Sequence, residues 1–167
     1  MTVRTGRSGA AAKAGHDLLI EVGSWEAKLG LGENSSESTL ALNVDSGSLR
    51  VLDGTGGIQA LGEDDKANIQ QTIGEEVLKG TAISFHSSQV QSDGGVYHVQ
   101  GELELSGKRA PIAFDLATTD DGQLSATATV KQSDWGMKPY SALFGTLKVN
   151  DEVVVQIDGH LPSAPSA

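Results

Sequence analysis

The stretch Ala82–Leu116, AISFHSSQVQSDGGVYHVQGELELSGKRAPIAFDL, decides the fold. Ile83 and Phe85 alternate with Ser84 and His86. Tyr97, Val99, Leu103 and Leu105 alternate with His98, Gln100, Glu102 and Glu104, and Ile112, Phe114 and Leu116 follow on a third run. A period of two sends every second side chain to the same face, so each run reads as a strand buried on one side. The turns between them, Ser92-Asp93-Gly94-Gly95 and Ser106-Gly107, tolerate the positive φ that tight hairpins need. Three strands sharing one apolar face form a sheet that the rest of the chain must extend or close over.

Towards the N-terminus the alternation continues. Leu18, Ile20 and Val22 share a face, and the run goes on through Trp25 towards Leu31. Gly23 marks a bend, because glycine inside a strand often sits at a bulge or barrel corner. Leu40, Leu42 and Val44 form another strand face, and Ser46-Gly47 turns the chain into Ser48–Leu52. Met1–Arg7 is expected along an open sheet edge. The glycine-rich loop 53–62 lacks the Gly-Lys-Ser/Thr of a phosphate loop and the strand-loop-helix frame around it. One helix is expected over 64–79, capped by Asp64 or Asp65 and closed by Gly80. Its apolar stripe is Ile69, Ile73, Val77 and Leu78.

Beyond Leu116, Leu124, Ala126, Ala128 and Val130 face one way, as do Val153, Val155 and Ile157. Between them lies an irregular segment with Trp135, Tyr140 and Phe144. Residues 162–167, PSAPSA, read as a disordered tail, which leaves one domain over 1–161. About eight strands joined mostly by short turns favour an all-β, up-and-down antiparallel barrel with one inserted amphipathic helix. Such a barrel either fills its lumen with side chains or holds one small ligand. Small inward residues (Gly101, Ala126, Ala128, Gly159) and few aromatics favour space inside.

With 12 basic and 22 acidic residues the net charge is −10. That balance argues against nucleic acid and against strong membrane-surface binding. The chain has no cysteine, which removes disulfides and thiolate metal sites. No secretory signal is apparent, so a cytoplasmic location is expected.

Catalytic and metal chemistry find little support. His86 and His98 fall out of register on neighbouring strands, too far apart to share an ion. His16 and Asp17 are strand neighbours and point to opposite faces. Asp64-Asp65 and Asp120-Asp121 read as cap and turn chemistry, and no serine has an activating setting. The expected lumen wall is therefore Leu18, Ile20, Leu42, Ile83, Phe85, Tyr97, Val99, Leu103, Ile112, Phe114 and Leu116. His16, Trp135, Tyr140 and Phe144 are expected at the pocket mouth.

Four segments together resemble the YceI-like family: Ile83-Ser84-Phe85-His86-Ser87; Gly101–Ile112, GELELSGKRAPI; Ala14-Gly15-His16-Asp17-Leu18; and Ser133-Asp134-Trp135-Gly136-Met137. Just before the last of these the family frequently carries arginine, where this chain has Gln132. The resemblance implies a lipocalin-like barrel that binds or transports an amphiphilic long-chain lipid, a polyisoprenoid or isoprenoid quinone, as a carrier without catalysis. It implies no cofactor beyond such a bound lipid. Two alternatives stay open: a lipocalin-like enzyme using His16 with a mouth residue such as Asp134, and a ligand-free structural or stress protein. An open barrel edge could also support a homodimer.

Overall fold

The computed structural model describes residues 1–161; the tail expected at 162–167 lies outside them. Thirteen strands are formed among these residues: β1 Thr2–Arg4, β2 Arg7–Ser8, β3 His16–Val22, β4 Trp25–Gly30, β5 Thr39–Val44, β6 Leu49–Gly56, β7 Ile83–Asp93, β8 Val96–Leu105, β9 Lys108–Thr118, β10 Gln123–Lys131, β11 Ser141–Ala142, β12 Leu147–Val149 and β13 Glu152–His160. The opening stretch is the meander β7-β8-β9. Its turns use Gly94, Gly95, Ser106 and Gly107, all at positive φ.

Ten strands form one sheet in the order β4-β5-β7-β8-β9-β10-β13-β1-β3-β6. Its two ends belong to a single bent hairpin, because β3 runs on into β4 and β5 into β6. Pairing continues across the bends: the Gly23 amide donates to the Ser48 carbonyl at 3.1 Å, and the Asp45 amide to the Ser24 carbonyl at 3.0 Å. Followed through these bends, the curled sheet is a circuit of eight strands. The all-β, lipocalin-like architecture is therefore the observed one, with the corner at Gly23. One detail differs. The N-terminal strand β1 is not an edge; it pairs with β13 on one side and β3 on the other.

Two bulges reset the alternation. Ser87 faces Gly101 and Gln89 faces Gln100, so Ser88 is an extra residue and Val90 moves onto the inner face. In β6, Leu19 faces Asp53 but Ile20 faces Val51; Val51 is buried and Leu52 is left exposed. The core gathers Phe85, Val90, Val99, Leu103, Leu116, Ala126, Val130 and Trp135.

The inserted helix α1 spans Glu63–Thr72 and runs on as a π-helical turn over Ile73–Val77. It starts one or two residues before the expected caps: Gly62 is the N-cap, and its amide donates to the Asp65 carboxylate at 2.9 Å. Asp65 thus caps from the third helical position instead of standing as the N-cap residue itself. α1 packs against the β6 edge. A separate small sheet, β11-β12-β2, stands at the same end of the barrel as α1.

Candidate functional site

The circuit encloses a cavity of about 1120 Å³, larger than the roughly 300–1,000 Å³ that takes a drug-sized ligand. Its wall draws on nearly every strand: Val3; Leu18, Ile20 and Val22; Leu40, Leu42 and Val44; Ile83 and Phe85; Leu103 and Leu105; Ile112, Phe114 and Leu116; Leu124, Ala126, Ala128 and Val130; Val153, Val155 and Ile157. Ile69, Ile73, Val77 and Leu78 bring in the stripe of α1 and its π turn. Each strand contributes every second residue, so a wall built on alternation is almost wholly aliphatic.

Gly101 keeps the space open. A β-carbon there would lie 2.6 Å from Phe85 Cζ and collide with the His86 carbonyl oxygen. Without it the Phe85 ring rests against the β8 backbone. It meets Phe114 in a tilted pair, ring centres 5.3 Å apart and planes at 58°, an arrangement aromatic rings favour.

Of the eleven residues expected in the wall, Leu18, Ile20, Leu42, Ile83, Phe85, Leu103, Ile112, Phe114 and Leu116 line the cavity. Tyr97 and Val99 do not. The bulge at Ser88 sets Val90 opposite Val99, and this pair, 0% and 1% exposed, fills the interior with side chains there. Tyr97 packs against the same cluster. Of the four mouth candidates, His16 and Tyr140 line the cavity. Trp135 is instead a core residue: it closes a 3-10 turn, Gln132–Trp135, and its indole N–H donates to the Leu103 carbonyl at 2.7 Å. Phe144 is fully exposed and outside the wall.

Polar groups lie at the two ends. At the α1 end are His16, Asn68, Thr72, Gln132 and Tyr140; at the other are Lys28 and His160. His16 Nε2 donates to the Gln59 carbonyl at 2.7 Å, which leaves Nδ1 as an acceptor in the neutral ring. Gln132 is buried and donates from Nε2 to the Asn150 carbonyl at 3.0 Å. Beside it the Ser133 amide and hydroxyl donate to Asp151 at 2.8 and 2.5 Å, and these bonds hold the Asp151 carboxyl below its ordinary range. The strand phase alone could have found Val155 and Ile157. Lys28, Gln132 and His160 carry no such signal, because they depend on where the barrel ends.

The remaining candidates are scattered. Asp17 faces away from His16 and pairs with Arg7 at 3.1 Å. Asp134 is exposed and absent from the wall. His86 faces Glu102, whereas His98 faces Gln91 and lies 2.6 Å from Asp115. Among the described residues no three or more His, Asp or Glu side chains gather as a metal site.

Similar architectures are known. A Burkholderia cenocepacia protein, BcnA, superposes with a TM-score of 0.65 at 14% identity, covering 93% of this chain and 94% of the other. A Campylobacter jejuni YceI protein gives a TM-score of 0.61 at 14% identity, over 87% and 85% of the two chains. A polyisoprenoid binding domain from Saccharophagus degradans, implicated in plant cell wall breakdown, gives 0.50 at 11% identity, over 96% and 94%. At these identities the likeness is one of fold. No curated protein matches the chain. The sequence itself matches the model of the YceI-like domain over residues 9–161, and this chain belongs to the YceI-like family.

Proposed function

We propose that the protein binds one long-chain amphiphilic lipid, of the polyisoprenoid or isoprenoid-quinone class, inside the barrel, and that it acts as a carrier. The observation that carries this reading is the continuous aliphatic cavity of about 1120 Å³ with polar groups only at its ends. A buried methylene contributes about 0.8 kcal/mol, so a long chain gains affinity along the whole wall. A single polar head is accommodated at one end, where His16, Gln132 and Tyr140 offer hydrogen-bonding groups. Family membership and the polyisoprenoid binding domain of like fold support the same ligand class.

The reading is binding rather than turnover. His16 is engaged by a backbone carbonyl, and Asp134, the mouth residue offered as its partner, is not in the wall. The test is organic extraction of protein purified from its own host, followed by mass spectrometry. A stoichiometric isoprenoid lipid is expected, and Phe114→Trp, which fills the lumen, should lower its occupancy in folded protein. A barrel that yields no lipid and takes up no added polyprenyl alcohol would sink the proposal.

A further inference from the structure

The charge of this chain is unevenly placed. Residues 1–16 and 135–150 carry Arg4, Arg7, Lys13, Lys138 and Lys148, five of the 12 basic residues, and none of the 22 acidic ones. The fold brings these two segments together: β12 pairs with β2, and the Ala11 amide donates to the Thr146 carbonyl at 2.9 Å. Arg7 is engaged by Asp17. Lys13, Lys138 and Lys148 are exposed. Acids also stand at this end: Asp151 and Glu152 share a surface hollow with Lys138 and Lys148, and α1 carries Glu63, Asp64 and Asp65 in its first turn.

At the far tip of that sheet are Leu143 and Phe144, both exposed, with Phe144 wholly in solvent. Both adopt left-handed backbone conformations, φ 51° and 55°, which glycine or asparagine holds at less cost. The Thr146 hydroxyl fixes the turn by donating to the Leu143 carbonyl at 2.6 Å. A phenylalanine held in strain and pointed at water has no folding role that the surrounding contacts explain. The small sheet adjoins the cavity, since Leu147 of β12, Tyr140 just before β11 and Ala14-Gly15-His16 line its wall.

We infer that the Leu143-Phe144 turn is a membrane-docking tip: its two apolar side chains enter an anionic bilayer while Lys13, Lys138 and Lys148 meet the headgroups. Overall negative charge opposes such binding, so the attraction rests on the three exposed lysines of the two acid-free segments and on the two apolar side chains at the tip. Exposed aromatic and aliphatic side chains accompanied by lysine are the composition that interfacial anchoring uses. Each lysine near an anionic surface strengthens binding about fivefold, and burial of one phenylalanine roughly ten- to a hundredfold. The purpose, exchange of a lipid between bilayer and lumen, rests on the carrier reading; the docking itself does not.

The experiment is vesicle flotation of the full chain with phosphatidylcholine vesicles, with and without about a quarter phosphatidylglycerol. Binding is expected only to the anionic vesicles and should weaken as ionic strength rises. Phe144→Asn, which suits the left-handed backbone, should lose roughly tenfold or more of that binding without lowering the melting temperature. Lys148→Gln should lose about fivefold. Wild-type protein that stays off anionic vesicles, or Phe144→Asn protein that binds them equally well, overturns the inference. Uptake of a fluorescent polyprenyl alcohol, delivered from solvent without vesicles, is read in parallel. Uptake retained by Phe144→Asn supports docking as a separate step, whereas vesicle binding without any uptake would overturn the carrier reading alone.

Discussion

Gly101 shows how one missing carbon shapes a whole lumen. It lies between Val99 and Leu103 on an inward face, where the alternation would otherwise place another branched side chain. The Phe85 ring and the His86 carbonyl occupy the space that a β-carbon would need. Gly101→Ala must therefore push the ring off β8 towards Phe114 and the cavity. Overpacking of this kind costs about 1–3 kcal/mol. The expected result is a lower urea midpoint with an unchanged slope, together with reduced uptake of a polyprenyl alcohol. A variant as stable as the parent would mean that Phe85 is free to move. Phe144 is the opposite case. There a large side chain sits where the backbone favours glycine, and the strain has no compensating burial.

At the level of elements, the helix joins wall and cover. Ile69, Ile73, Val77 and Leu78 face the cavity although the regular helix ends at Thr72. The π turn keeps them aligned by widening the winding where a strict 3.6 period drifts. Gly74 sits inside that turn with open space around its missing β-carbon and ordinary φ. Gly74→Ala should stabilise the protein by about 0.5–1 kcal/mol and slow ligand exchange if the helix must loosen for entry. A melting curve and a dissociation rate read the two effects separately, and a lower melting temperature would contradict the helical geometry. The helix stripe, the β7-β8-β9 meander and the Gly23 corner were legible because periodicity reports which face is buried. The bulges at Ser88 and Leu52 were not, since an inserted residue changes phase without changing composition. Tyr97 and Val99 keep their phase on β8, but the bulge in β7 turns Val90 inward against Val99 and fills the space there. Trp135 and Phe144 lie in irregular chain, where no period exists. Their roles follow from a hydrogen bond to Leu103 and from a left-handed turn, neither of which a periodicity encodes.

Taken as a whole molecule, the protein sets a large hole inside a chain of modest size. The wall residues keep the curvature of the sheet but forgo the contacts that a filled core would supply, since a lining atom with nothing opposite it loses its dispersion partners. Much of the stability of the loaded form should then come from the ligand. A ligand that binds only the folded state at a hundred times its dissociation constant adds about 2.7 kcal/mol. For a domain of this size each kcal/mol moves the melting temperature by about 2–4 °C. Saturating delipidated protein with a polyprenyl alcohol should thus raise its melting point by roughly 5–10 °C. The same addition to Phe114→Trp protein should raise it less, because the indole already occupies part of the hole. Equal melting points with and without lipid would mean that the wall supports itself. The cavity would then be a property of the fold rather than a binding site.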